Sequence, residues 1–167
     1  MEENRETYNY LILLGGNIGN VVATMTEAIE MLGEAGTVID KSAVYCSEAW
    51  GFEAEVFYNQ VVELESELNP EELLDRTQMM EKRLGRKEKS KDGVYHSRLI
   101  DIDLLFCGEK LVETERLILP HKLLHKRRFT LVPLAEKWSM VIHPRMGKSV
   151  RELLEECSDE GKVWKNE

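Results

Sequence analysis

Hydrophobic positions along this chain switch between two spacings. Residues 8–14 are a short apolar run closed by Gly15-Gly16-Asn17-Ile18-Gly19-Asn20, which predicts a buried strand and a tight turn. Asn20 is placed to cap a helix on which Met25, Ala28, Ile29 and Leu32 share one face, closed by Gly33 and Gly36. Residues 37–47, rich in Val, Ile, Ala and Tyr, predict a second strand, and residues 48–57 a loop bearing Trp50, Phe52 and Phe57. Period two then returns: Val62, Leu64, Ser66 and Leu68 alternate with Val61, Glu63, Glu65 and Glu67, a third strand with one wet face. Asn69-Pro70-Glu71-Glu72 is a helix start, with Asn at the cap and Pro at the first position. Leu73, Thr77, Met80 and Leu84 form its core stripe, Gln78 and Glu81 lie together on a flanking face, and Gly85 ends it. After a basic loop, Ile100, Ile102, Leu104 and Phe106 alternate with Asp101 and Asp103, the pattern of a half-buried strand.

Beyond this strand, Gly108-Glu109 predicts a hairpin into Lys110-Leu111-Val112. Residues 129–135 read as helical, with Pro133 in the first turn, and residues 149–157 as a short amphipathic helix, with Trp164 packing its end onto the body. The order strand, helix, strand, strand, helix, strand is that of an α+β, ferredoxin-like βαββαβ sandwich. Such a fold has a mainly antiparallel sheet with helices on one face, here with a C-terminal helical extension. Glu63, Glu65, Asp101 and Asp103 are expected on the opposite, open face.

The aspartate pair changes what this sheet is for. Two like charges about 6–7 Å apart along one strand face repel each other, and nothing in β-propensity asks for them. Mg²⁺ would reconcile them, since it takes one or two carboxylates and leaves its other positions to water and phosphates. Arg98, just upstream, suits a phosphate oxygen. The plainer alternative is a solvated edge strand with acidic gatekeepers. The glycines at 15–19 lack the Lys-Ser/Thr of a P-loop and the third glycine of a dinucleotide fingerprint, and a turn that needs small residues explains them as well.

Composition narrows the field. At 167 residues, 43% hydrophobic and 32% charged, the chain suits one folded domain spanning 1–167. A net charge of −9 argues against a general nucleic-acid surface. A basic island (Lys82, Arg83, Arg86, Lys87, Lys89, Lys91 and Arg98) suits something small and anionic. Cys46, Cys107 and Cys157 are far apart with no C-x-x-C pair, which fits a reducing compartment rather than a disulfide framework or zinc site. Residues 1–10 are polar with no apolar signal core, and no run approaches a membrane span. A cytoplasmic location is expected, with no membrane, nucleic acid or obligate protein partner.

Several stretches together resemble the 6-hydroxymethyl-7,8-dihydropterin pyrophosphokinase family. They are L-L-G-G-N-I-G-N (13–20), F-Y-N-Q-V-V-E-L-E-S-E-L-N-P-E-E-L-L (57–74), Gln78 with Glu81, L-G-R (84–86), S-R-L-I-D-I-D-L-L-F (97–106), L-I-L-P-H (117–121) and R-R-F-T-L-V-P-L-A-E (127–136). The resemblance implies an ATP- and Mg²⁺-dependent diphosphokinase of folate biosynthesis that passes pyrophosphate from ATP to the pterin and releases AMP. It further implies that Asp101 and Asp103 hold two Mg²⁺ ions, and that Arg86 and Arg98 are the loop and catalytic arginines. By the same resemblance Phe57 and Phe129 sandwich the pterin, with Asn59 and the loop from Ser47 to Trp50 reading its edge. Gln78, Glu81, Arg116, Ile118, His121 and Arg127 match ATP-side positions.

Two positions depart from the family's pattern: Phe57 stands where Tyr is frequent, and Tyr95 where a Trp-Gly-Pro-Arg loop is expected. Two rivals are weighed against this reading. A nucleotide-sugar glycosyltransferase also uses Asp-x-Asp but needs a larger sheet. A non-catalytic ferredoxin-like ligand-binding or regulatory module would not require both carboxylates and both arginines.

Overall fold

The computed structural model describes residues 6–48, 56–85 and 99–167. The elements run β1 (Tyr8–Gly16), α1 (Val21–Ala35), β2 (Thr37–Lys41), β3 (Tyr45–Glu48), β4 (Val56–Ser66), α2 (Pro70–Gly85), β5 (Asp101–Cys107), β6 (Val112–Glu113), β7 (Ile118–Leu119), α3 (Arg128–Trp138), β8 (Ile142–His143), β9 (Lys148–Ser149), α4 (Val150–Glu156) and β10 (Val163–Lys165). The main sheet has the order β10-β3-β4-β1-β5, with β2 also paired to β4, and every neighbour is antiparallel. This is the expected ferredoxin-like arrangement.

Local chemistry starts α1, α2 and α4 where the sequence indicates. Asn20 Oδ1 accepts from Ala23 N at 3.2 Å, and Gly19, at φ 69°, makes the turn before it. Asn69 and Glu72 form a reciprocal capping box ahead of α2, each side chain accepting from the other's backbone amide at 3.0 Å. Ser149 and Glu152 repeat the device at α4.

The sheet has apolar side chains on both faces. On one, Tyr10, Ile12, Leu14, Val62, Leu64, Ile102 and Leu104 pack against Met25, Ala28 and Leu32 of α1 and Leu73, Met80 and Leu84 of α2. On the other, Leu11, Leu13, Val61 and Phe106 meet Leu131, Leu134 and Trp138 of α3 and Val150 and Leu153 of α4. The C-terminal extension therefore covers part of the face that carries Glu63, Asp101 and Asp103.

Several expectations are corrected. The second strand is two short ones, β2 and β3, both on β4. Between them Ser42 Oγ accepts from Val61 N at 2.9 Å, and Gln60 Nε2 donates to Ser42 O at 2.7 Å. Ser42 N still donates to Val61 O at 2.8 Å, so side-chain bonds supplement the ladder at the break. Phe106 does not share the face of Ile102 and Leu104, because β5 has one residue more than β1 there. Leu11 is opposite Phe106 and Ile12 opposite Leu104, so the bulge at Leu105 turns Phe106 toward the second core. The turn at Gly108 forms, but β6 pairs with β7 rather than β5. Pro133 sits in the second turn of α3, where it supplies no amide hydrogen to the carbonyl of Phe129. Trp164 joins the body through the strand β10 and stays 41% exposed instead of packing down.

Candidate active site

Strand register assembles the site. Asn59 lies opposite Gly15 and Gly15 opposite Asp101, while Val61, Leu13 and Asp103 form the next row, and Phe57 lies opposite Ser47. Directly paired residues share a face, so Ser47, Phe57, Asn59, Asp101 and Asp103 all project on one side of the sheet. Asp101 is exposed, and Asp103 and Phe57 are half-buried.

Asn59 is 3% exposed and its Nδ2 donates to Ser47 Oγ at 3.1 Å, with Ser47 6% exposed. The amide is thereby held in one orientation, with polar groups aimed along the face. Its neighbour Gly15 has a packing reason: a Cβ there would sit 3.2 Å from Asn59 Oδ1. A Cβ on Gly16 would sit 2.6 Å from Leu99 O. These glycines serve close approach within β1, not a nucleotide loop.

The α2 side supports the aspartates from behind. Glu81, 7% exposed, accepts from Ile102 N at 2.9 Å, gripping the backbone between Asp101 and Asp103. Gln78, three residues earlier on α2, is exposed.

Next to Asp103 a groove of about 250 Å³ runs past Ile102, Arg116, Ile118 and His121. Arg116 is paired with Glu71 at 3.2 Å and with Asp75, both on α2. These exposed pairs cost little to exchange for a ligand's phosphates. His121 Nδ1 accepts from Leu123 N at 3.1 Å. Burial, reinforced by Arg127 and Lys122, pushes this imidazole down to about 4. At neutral pH it is therefore uncharged, with its proton on Nε2 as a donor.

The remaining wall is the start of α3. The Arg127 guanidinium lies over the Phe129 ring, 5.5 Å from its centre, and Phe129 is half-buried. The far end of α3 is tied to the sheet at three points. Glu136 accepts from Ala43 N at 3.1 Å and from Tyr45 Oη at 2.7 Å. Lys137 pairs with Asp40 at 2.7 Å, and Trp138 Nε1 donates to Glu63 at 2.9 Å. Sequence reasoning missed Glu136 as a support. The available signal was a carboxylate near a helix C-terminus, where it opposes the dipole unless a specific partner compensates.

Trp50, Arg86, Arg98 and Tyr95 lie outside the described residues. Among the described residues no group of three His, Cys, Asp or Glu side chains is placed to hold a metal ion, and no helix is long and apolar enough to cross a membrane. Two carboxylates on one strand face still fit Mg²⁺, whose remaining positions go to water and substrate oxygens.

An aspartate pair beside a cation-rimmed groove, on a ferredoxin-like sheet, suits an enzyme that moves phosphoryl groups. Comparison with known proteins is in accord. Residues 11–139 match the 7,8-dihydro-6-hydroxymethylpterin-pyrophosphokinase (HPPK) family, and the chain belongs to that family. It is 41% identical over 140 residues to the 2-amino-4-hydroxy-6-hydroxymethyldihydropteridine pyrophosphokinase of Aquifex aeolicus, covering 83% of this chain and 86% of that one. It is 39% identical over 128 residues to the Bacillus subtilis protein of the same name, covering 75% of each. The fold resembles the crystal structure of wild-type Plasmodium falciparum HPPK-DHPS with a TM-score of 0.71 at 15% identity, over 93% of this chain and 43% of that longer one.

Proposed function

We propose that this chain transfers pyrophosphate from ATP to the hydroxymethyl group of 6-hydroxymethyl-7,8-dihydropterin, giving the pterin diphosphate and AMP for folate biosynthesis. The observation that carries this reading is the shared face. Asn59 stands in the same row as Asp101, two strands away across Gly15, and Phe57 one row further along β4, so a flat heterocycle on the first pair places its side arm toward the carboxylates.

In this reading the hydroxymethyl oxygen attacks the β-phosphorus of ATP. The bond from that phosphorus to the oxygen bridging to the α-phosphate breaks, AMP departs, and the hydroxyl proton is released. Phe57 and Phe129 stack on the two sides of the pterin, and Asn59, Ser47 and Trp50 meet its donor–acceptor edge. Asp101 and Asp103 would hold two Mg²⁺ ions, which when bound offset phosphate charge and align the attacking and leaving oxygens. His121 donates from Nε2 on the nucleotide side, and Arg116 and Arg127 add cationic donors there. Gln78, Glu81 and Ile118 complete that side. Arg86 and Arg98 meet the transferred phosphates from the basic loop.

This chemistry asks only for small-molecule partners and for one domain. Three free cysteines, two of them buried, suit a reducing compartment such as the cytoplasm.

The test is product analysis with ATP, Mg²⁺ and the pterin. AMP formed in step with a pyrophosphorylated pterin is the expected result. ADP formation, or no pterin-dependent nucleotide, would contradict it.

A further inference from the structure

The helix that carries Phe129 begins without a cap of its own. Arg127 stands at the N-cap position and makes no side-chain cap bond, and the first turn of α3 holds no acidic residue. The leading amides of a helix have no partner within it, and an arginine offers no acceptor. Here a distant residue fills the gap. Arg128 N donates to Asp159 Oδ2 at 3.0 Å across 31 positions of sequence. The other carboxylate oxygen of Asp159 accepts from Gly161 N at 2.9 Å, so both oxygens are engaged and the group is fixed in orientation.

The same segment also reaches the opposite wall of the site. Just after Asp159 the chain pairs as β10 with β3, Val163 opposite Ser47 and Lys165 opposite Tyr45. Asn166 N then donates to Val44 O at 2.8 Å. One short tail, outside the matched residues 11–139, therefore touches both the start of α3 and the strand of Ser47.

We propose that Asp159 is a positioning residue: by capping α3 from the tail it sets where the helix begins, and hence the placement of Phe129 and the direction of Arg127. The proposal rests on the pterin and nucleotide roles assigned to those two residues above. A carboxylate at a helix N-terminus both satisfies an amide and complements the dipole. Because Glu136, Lys137 and Trp138 fix the far end of α3, loss of the cap falls on the first turn alone. Displacement of about 1 Å there is enough to spoil ring stacking and phosphate alignment.

The experiment compares the parent full-length protein with D159A and D159N, the latter keeping an oxygen for Arg128 N. Two readouts are taken: hydrogen exchange of residues 128–131 without ligand, and affinity for the oxidised 6-hydroxymethylpterin with Mg²⁺ and a non-hydrolysable ATP analogue. In D159A, exchange quickens and pterin affinity weakens, each by about fivefold, the ratio a capping bond of ordinary strength implies. D159N restores both to within about twofold, since Asn caps nearly as well as Asp. Unchanged exchange in D159A, unchanged pterin affinity in D159A, or equal loss in D159N would each overturn the proposal while leaving the reaction intact. No pterin binding by the parent would overturn the reaction and the proposal together.

Discussion

The two faces of the central sheet are made by the same strands and serve different ends. Toward α1 and α2, the inward positions of β1, β4 and β5 are apolar along their length: Tyr10, Ile12, Leu14, Val62, Leu64, Ile102 and Leu104. Toward α3 and α4, the apolar stretch of Leu11, Leu13, Val61 and Phe106 gives way to Ser47, Asn59, Asp101 and Asp103. Because side chains alternate across the pleat, adjacent residues of one strand belong to different tasks. Ile102 and Leu104 hold the fold, and Asp101 and Asp103, interleaved with them, are the residues we propose for the chemistry. A like-charged pair is tolerated in such a strand because the opposite face anchors it, and Glu81 grips its backbone from that side.

That division is broken most sharply at the carboxylates. Asp101→Ala and Asp103→Ala should each lower kcat by about a thousandfold, near 4 kcal/mol of transition-state stabilisation. Their Tm should change little, since Ile102 and Leu104 keep the buried face of the strand. Steady-state rates at saturating Mg²⁺ beside thermal unfolding give the check, and near-parental rates would erase the distinction between the faces.

The mirror experiment is Leu104→Ala, one residue along the strand from Asp103. It should cost about 3 kcal/mol of stability, from lost burial plus a cavity. The folded fraction should keep its turnover, measured below the transition in a denaturant-calibrated assay.

The smallest effect is a matter of pH. His121 is held near 4 in the folded protein, first by burial and then by Arg127 and Lys122. As pH falls through about 6.5, the unfolded chain binds a proton that the folded protein refuses until about 4. This group's penalty is absent above 6.5 and grows steadily down to 4, so stability falls as acid is added. His125 and His143, lowered by burial as well, act in the same direction. Tm measured from pH 7 to 4 should decline, and His121→Asn should flatten part of that decline while leaving Tm at pH 7 little changed.

Much of this was readable from local pattern. The Asn69-Pro70-Glu71-Glu72 start, the stripe of Leu73, Thr77, Met80 and Leu84, and the alternation around Asp101 and Asp103 depend on neighbours in sequence, and each has its expected form. What escaped depends on partners far away. The bulge at Leu105 exists because β5 and β1 differ by one residue in register, which no periodicity within β5 records. The break at Ser42 is made by Gln60 and Val61 on another strand. Glu81 turns inward to reach Ile102 N, and Arg116 is paired with α2 carboxylates 45 and 41 positions earlier. Nor do helix rules reveal that Asp159 caps α3, since its own surroundings read only as a polar tail.

The central claim is that one open end of one sheet face holds both substrates around the aspartate pair. Its most direct test is anomalous diffraction from crystals grown with Mn²⁺, a non-hydrolysable ATP analogue and 6-hydroxymethylpterin. The expected result is metal bound to the carboxylates of Asp101 and Asp103, in contact with the triphosphate, and the pterin ring between Phe57 and Phe129. Metal bound elsewhere, or a pterin lodged away from Asn59, would contradict it.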